Sequence, residues 1–169
     1  VCFGRITDLG ISDANNMGAA MAPAAASTLL SYWEDTGTSP RNFDLILTGD
    51  LGRVGSDLLG DLLRREGIEI AGVQNDGGLM LYEREEQDVH AGGSGCGCSA
   101  AVLCSLVLRQ LQAGELKRVL FIGTGALMST TSSQQGETIP GIAHLVALES
   151  AAGENEENKK ATAGRNPKG

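Results

Sequence analysis

The segment Gly92-Gly93-Ser94-Gly95-Cys96-Gly97-Cys98-Ser99 gathers what a small-molecule site needs. Its glycines let a ligand or a second backbone come close, and the N–H groups that open the apolar run after it favour an anion. Cys96 or Cys98 would serve as a nucleophile if His90 came within hydrogen-bond reach, the Cys-His arrangement of covalent acyl transfer; the alternative is that they are small buried hydrophobes, as Cys104 is read. His90 would orient a carboxylate or satisfy a nearby backbone carbonyl. Asp50 follows the apolar run Leu45 to Thr48, at the carboxyl edge where open α/β sheets place their ligands, and a helix N-cap is its competing role. His144 sits in an apolar strand and reads as structural. The segment is no phosphate-binding Gly-Lys-Ser/Thr loop and no dinucleotide fingerprint. Cys-x-Cys with a single His nearby also lacks the ligand count of a structural zinc site. Tight packing at a crowded helix start would ask for the same glycines, and that reading stays open.

The elements that must position these residues follow from periodicity. Residues 1 to 11 suit a strand, and Ser12-Asp13-Ala14-Asn15-Asn16 supplies turn and capping groups. A helix follows, with its regular part expected from Pro23 to Trp33 because proline is tolerated only near a first turn. Phe43 to Thr48 reads as a buried parallel strand, Gly55 to Glu66 as a helix, and Ile68 to Val73 as a further strand. Ser99 to Leu111 is apolar on nearly every face, so a helix there is expected to be buried all round, with a second layer from another domain or chain covering it. Val119 to Ile122 and Ala143 to Leu148 are strands joined by the polar loop 129 to 138. This order predicts an α/β fold: a five-stranded, mostly parallel mixed sheet with helices on both faces and a buried central helix. The domain is expected over residues 1–152 and a polar, solvated tail over 153–169.

The 169 residues suffice for one domain. A formal charge of -8 without a basic cluster gives a nucleic-acid surface no support. No apolar stretch is expected to reach the roughly 20 residues that span a bilayer, and the first residues are not expected to be a signal peptide, since they lack its basic, apolar and small-residue sequence. Cysteines crowded into a Gly-rich, apolar run fit reduced thiols and a cytosolic compartment. The first residues read as a strand already under way, with no initiating Met, so the chain is expected to be a fragment or a processed piece.

Taken in order, the segments resemble the second half of thiolase-fold condensing enzymes over about residues 1 to 150. Thr36-Gly37-Thr38-Ser39-Pro40 through Asp44 and the strand to Asp50 is similar to a stretch that ends, in that family, at a catalytic His; Gly49 stands in its place. Gly93 to Ala100 resembles the Gly-Asn-Thr opening of the family's buried helix, with Ser94 where the catalytic Asn belongs. Lys117 to Ala126, which includes Thr124, is similar to the Gly-rich strand ending that borders the same site. Asn15 to Ala25, Gln87 to Ser99 and Gln134 to Pro140 resemble, more narrowly, the stage V sporulation protein AD family.

That resemblance implies a thiolase-like half-fold and a protein that is not an enzyme, one that binds dipicolinic acid, with or without calcium, for uptake into the developing spore. It implies no cofactor and no catalytic residue. Ligand contacts are expected from His90, Ser94, Gly95, Cys96, Gly97, Cys98, Asp50 and Thr124. The implied partners are an N-terminal thiolase-like half, in the same protein or a separate chain, and membrane proteins of the same sporulation operon, with a homodimer left open. The implied place is cytoplasmic, peripheral to the forespore inner membrane. The competing functions are an acyl-condensing enzyme or acyltransferase half-domain, and an assembly module with a vestigial pocket.

Overall fold

The computed structural model describes residues 1–83 and 85–151, apart from the side chain of Ser133. The expected polar tail at 153–169 lies outside the described residues.

The elements run α1 (Met17–Thr36), β1 (Leu45–Thr48), α2 (Gly52–Arg65), β2 (Gln74–Asp76), α3 (Gly77–Met80), α4 (Cys96–Ala113), β3 (Arg118–Ala126) and β4 (Gly141–Glu149), with a short helix, Thr130–Gln134, before the last strand. The sheet order is β2-β1-β3-β4. β1 runs parallel to β2 and β3, and β4 runs antiparallel to β3. The expected α/β fold with a mixed sheet is therefore present, with four strands among the described residues in place of five.

The fifth strand is missing for a local reason. Residues 1–7 do run beside β4, through Cys2 with Leu145 and Thr7 with Gly141, both antiparallel. Between those bridges the chain bulges: the Gly4 N–H donates to His144 Nδ1 at 3.0 Å instead of to a backbone carbonyl. A Cβ at Gly4 would lie 1.6 Å from the Ala143 carbonyl oxygen, so this approach excludes any side chain. Ile68 to Val73 is not a strand either; Ile70 carbonyl accepts from Val73 N–H and Gln74 N–H in a turn, and pairing with β1 starts at Gln74.

Pleating sends alternate side chains to two cores. Ile46, Leu120, Ile122, Ala143 and Leu145 face α1 and α2, whereas Leu47 and Val119 face α4. The helix buried almost all round is α1, not α4: Ala19 to Ala22, Ala24 to Ala26, Thr28, Leu29 and Trp33 are all buried. Its alanines allow close packing, and a Cβ on Gly141 of β4 would sit 2.2 Å from the Ala20 carbonyl oxygen. Asn16 caps α1 by accepting from Ala19 N–H, and the helix begins six residues before the expected start, carrying Pro23 inside it.

In α4 only Cys98, Val102, Val107 and Leu111 are buried, while Ala100, Ala101, Cys104, Ser105 and Leu106 are exposed. The expectation that the 99–111 helix is buried on all sides therefore fails within this chain, because a single sheet covers one face of it. Its buried residues step by four, five and four. The π turn Leu103–Val107 supplies the extra residue and so keeps Val107 on the face of Val102. At 18 residues α4 is long and apolar enough, by length and composition, to cross a bilayer, which corrects the expectation that no such stretch exists. Its packing of Val102, Val107 and Leu111 against Leu47 and Val119 is that of a helix on a sheet.

Candidate functional site

The carboxyl ends of β1, β2 and β3 and the start of α4 meet in one place. Gly49 follows β1, and space beside it is tight: a Cβ there would be 3.0 Å from Ser99 Oγ and 3.2 Å from Thr124 Oγ1, so even a methyl group would press on both hydroxyls. Gly77 approaches from β2, where a Cβ would be 2.5 Å from the Gly49 carbonyl oxygen.

Asp50 ties three of these elements together. Its Oδ2 accepts from Gly95 N–H at 2.6 Å, and its Oδ1 accepts from Thr124 Oγ1 at 2.7 Å. The structure thus brings Asp50, Thr124 and Gly95 together, as the sequence suggests. However, the Gly95 N–H offered to a ligand anion is already held by Asp50, and Gly95 adopts φ 92 to present it. Beside this latch lies a cleft of about 100 Å³ lined by Asn15, Met17, Gly18, Asp50, Leu51, Gly52 and the loop from Ala91 to Ser94.

The remaining expected residues are scattered. His90 points into solvent, 90% exposed, with Nδ1 3.6 Å from Asp88 Oδ1 and a backbone φ of 47. Cys96 and Gly97 are exposed at the first turn of α4, and nothing lies within 4 Å of a Cβ placed on Gly97. Cys98 is buried beneath Gly93, and burial pushes its thiol up, with the charges of Asp76 and Asp50 adding to the effect. A thiol held protonated is the reverse of an activated nucleophile. All four cysteines are free. His144 is structural: its ring meets Phe3 edge-on at 5.9 Å while Nδ1 accepts from Gly4 N–H.

Sequence reasoning missed Asp76, which has no exposed surface. Its Oδ2 accepts from Thr48 Oγ1 at 2.6 Å and from Leu51 N–H at 2.8 Å, and its Oδ1 accepts from Gly52 N–H and Gly78 N–H, each at 3.0 Å. Burial raises this carboxyl above the ordinary range, against the opposing pull of those bonds, the Thr48 hydroxyl first. The available signal was the sequence Asp76-Gly77-Gly78, separated by two residues from the expected strand Ile68 to Val73, an N-cap residue followed by glycines. Among the described residues no three His, Cys, Asp or Glu side chains converge as a resident metal would require.

The sequence model of the stage V sporulation protein AD family matches residues 1–149. A curated relative, stage V sporulation protein AD of Bacillus subtilis (strain 168), is 49% identical over 150 residues, which cover 89% of this chain and 44% of the relative. The chain spans less than half the length of that relative.

Proposed function

Because the chain belongs to the stage V sporulation protein AD family, we propose that it forms the second half of a thiolase-like sporulation protein that binds dipicolinate and condenses no acyl groups. The observation that carries this reading is Gly49. It stands where the resemblance puts the catalytic His of condensing enzymes, and Ser99 Oγ and Thr124 Oγ1 already fill the space next to its Cα. A general base must come within about 3 Å of its proton, and no such group stands on this position. The raised Cys98 thiol argues in the same direction.

What remains at the cleft is a holding chemistry: the Ser94 hydroxyl, the Asn15 amide and the backbone of a glycine loop. Asp50 opposes a bare dianion there, so dipicolinate enters best with calcium, its bound cation turned toward the Asp50 carboxylate. The exposed apolar residues of α4, Ala100, Ala101, Cys104 and Leu106, support pairing with a first thiolase-like half. A cytoplasmic site of action at the forespore inner membrane, beside membrane proteins of the same operon, rests on the family resemblance.

Titration calorimetry of the complete protein with dipicolinate, with and without calcium, tests the reading. Saturable heat is expected, and no heat under either condition removes it. Incubation with acyl thioesters should leave no acyl-cysteine; a stable adduct would return the condensing function.

A further inference from the structure

The cleft is walled almost entirely by loops, and loops of glycine hold no shape unaided. Asp50 to Gly52 and Ala91 to Ser94 line it, and Gly77-Gly78 stands behind them, packed against the backbone of Gly49 and Gly93, so each must keep its place if the cleft is to fit a ligand. Asp76 does not line the cleft. It lies behind it, fully buried, with Leu51, Gly52 and Gly78 N–H groups and the Thr48 hydroxyl all donating to its two oxygens. Three of those four partners are backbone N–H groups that can only donate, so they hold both oxygens of the side chain in place. Its hold reaches the third loop at one remove, since the Gly78 carbonyl accepts from Gly93 N–H at 2.7 Å. A second tie closes the ring: Arg53 N–H donates to the Ala91 carbonyl at 2.8 Å, one residue beyond Gly52.

We propose that Asp76 is the positioning residue of the cleft, fixing the Gly49–Gly52 and Gly77–Gly78 loops directly and the Gly92–Gly93 loop through Gly78, and so setting affinity for a dicarboxylate it never touches. This deepens the function proposed above and rests on it. The lone pairs of Asp76 are taken up by the cage, so they hold the loops and do not reach the ligand. Asparagine at this position keeps one oxygen for Gly52 and Gly78 but turns an NH2 group toward Leu51 N–H, whereas alanine abandons all four donors.

The test is a graded series in the complete protein, titrated with pyridine-2,6-dicarboxylate in the presence of calcium. Asp76→Asn should weaken binding about tenfold and Asp76→Ala about a hundredfold. Leu63→Ala, which removes a fully buried side chain from the α2 core, should lower the melting temperature yet leave affinity within about twofold. Hydrogen exchange supplies a readout that needs no ligand: in Asp76→Asn the Leu51, Gly52, Gly78 and Gly93 amides should exchange faster together, while amides of β4 stay protected. Unchanged affinity in Asp76→Ala, or an equal loss in Leu63→Ala, overturns the positioning role. If the unsubstituted protein binds no dicarboxylate, the functional reading fails by itself, and exchange then decides: unchanged protection at those four amides in Asp76→Asn overturns the positioning role as well.

Discussion

Asp50 and Thr124 are joined twice across the end of the sheet: the Thr124 hydroxyl donates to Asp50 Oδ1 at 2.7 Å, and Thr124 Oγ1 accepts from the Asp50 backbone N–H at 3.3 Å. One hydroxyl therefore serves as donor and acceptor between β1 and β3, and it keeps the other oxygen of Asp50 on Gly95. Thr124→Val preserves shape and removes both bonds. We expect a loss of about 1 kcal/mol in denaturant unfolding, with faster exchange of the Gly95 amide. An unchanged Gly95 exchange rate would show that the latch does not depend on Thr124.

The charge of Asp50 gives calcium a testable part in binding. In the unsubstituted protein dipicolinate should bind more tightly with calcium than without, and Asp50→Asn should strengthen binding of the metal-free dianion about tenfold while erasing the calcium preference. Calorimetry at constant ionic strength reads both effects. A calcium preference that survives the substitution contradicts this assignment.

The carboxyl of Asp76 is raised by burial, so the folded chain holds its proton more tightly than the unfolded chain does. Its contribution is fully present below the ordinary value of 3.8 and is lost as pH rises through the raised folded value. Asp44 works in the opposite sense: N–H groups of Arg118 and Lys117 lower it, so its contribution is present above 3.8 and is lost as pH falls. Comparing unsubstituted protein with Asp76→Asn isolates the first effect. Urea midpoints from about pH 3 to 7 should show the advantage of the aspartate shrinking as pH rises; an advantage that grows instead would mean that hydrogen bonding outweighs burial.

Thiol reactivity should follow burial. Cys96 and Cys104 are exposed on α4, whereas Cys98 is buried with its thiol pushed up. Iodoacetamide at neutral pH, followed by peptide mass spectrometry, should label Cys98 last. Labelling of Cys98 as fast as Cys96 would refute a protonated, sheltered thiol.

Leu106 is 40% exposed on the uncovered face of α4. If a first thiolase-like half covers that face, Leu106→Glu in the complete protein should cost about 2 kcal/mol or more. A change within about 0.5 kcal/mol, the usual range for a surface substitution, would leave the face in water.

The strongly patterned elements were legible in the sequence. β1 lies in a short apolar run, α2 shows helical spacing of leucines, and β3 and β4 were placed within a few residues, because the pattern of side chains there reports the burial that forms them. The latch was half legible: Asp50, Thr124 and Gly95 could each be marked by position, but not that the acid would fill the N–H meant for a ligand. Three misreadings share a cause. Alanine is weakly apolar, so α1 did not look like the buried helix, although small side chains are what allow the sheet and α2 to close on it. The bulge at Gly4 depends on an approach to Ala143 from the far end of the chain, which no local pattern encodes. Asp76 was passed over because an isolated carboxylate in a glycine-rich turn resembles a solvated loop until its four donors are seen.

The wide turn at Leu103–Val107 makes α4 a helix with a length mark. Each residue of ordinary helix advances about 100°, so regular winding of that turn with all its residues kept would rotate everything beyond it by about that angle and swing Leu111 off the sheet. Deleting one residue from the turn instead removes the surplus: the buried positions would then step by four throughout, and Val107 and Leu111 would stay on the side of Cys98 and Val102. The wide turn therefore works as a spacer, which lets the helix carry one residue more than regular winding would fit while both of its ends face the same sheet.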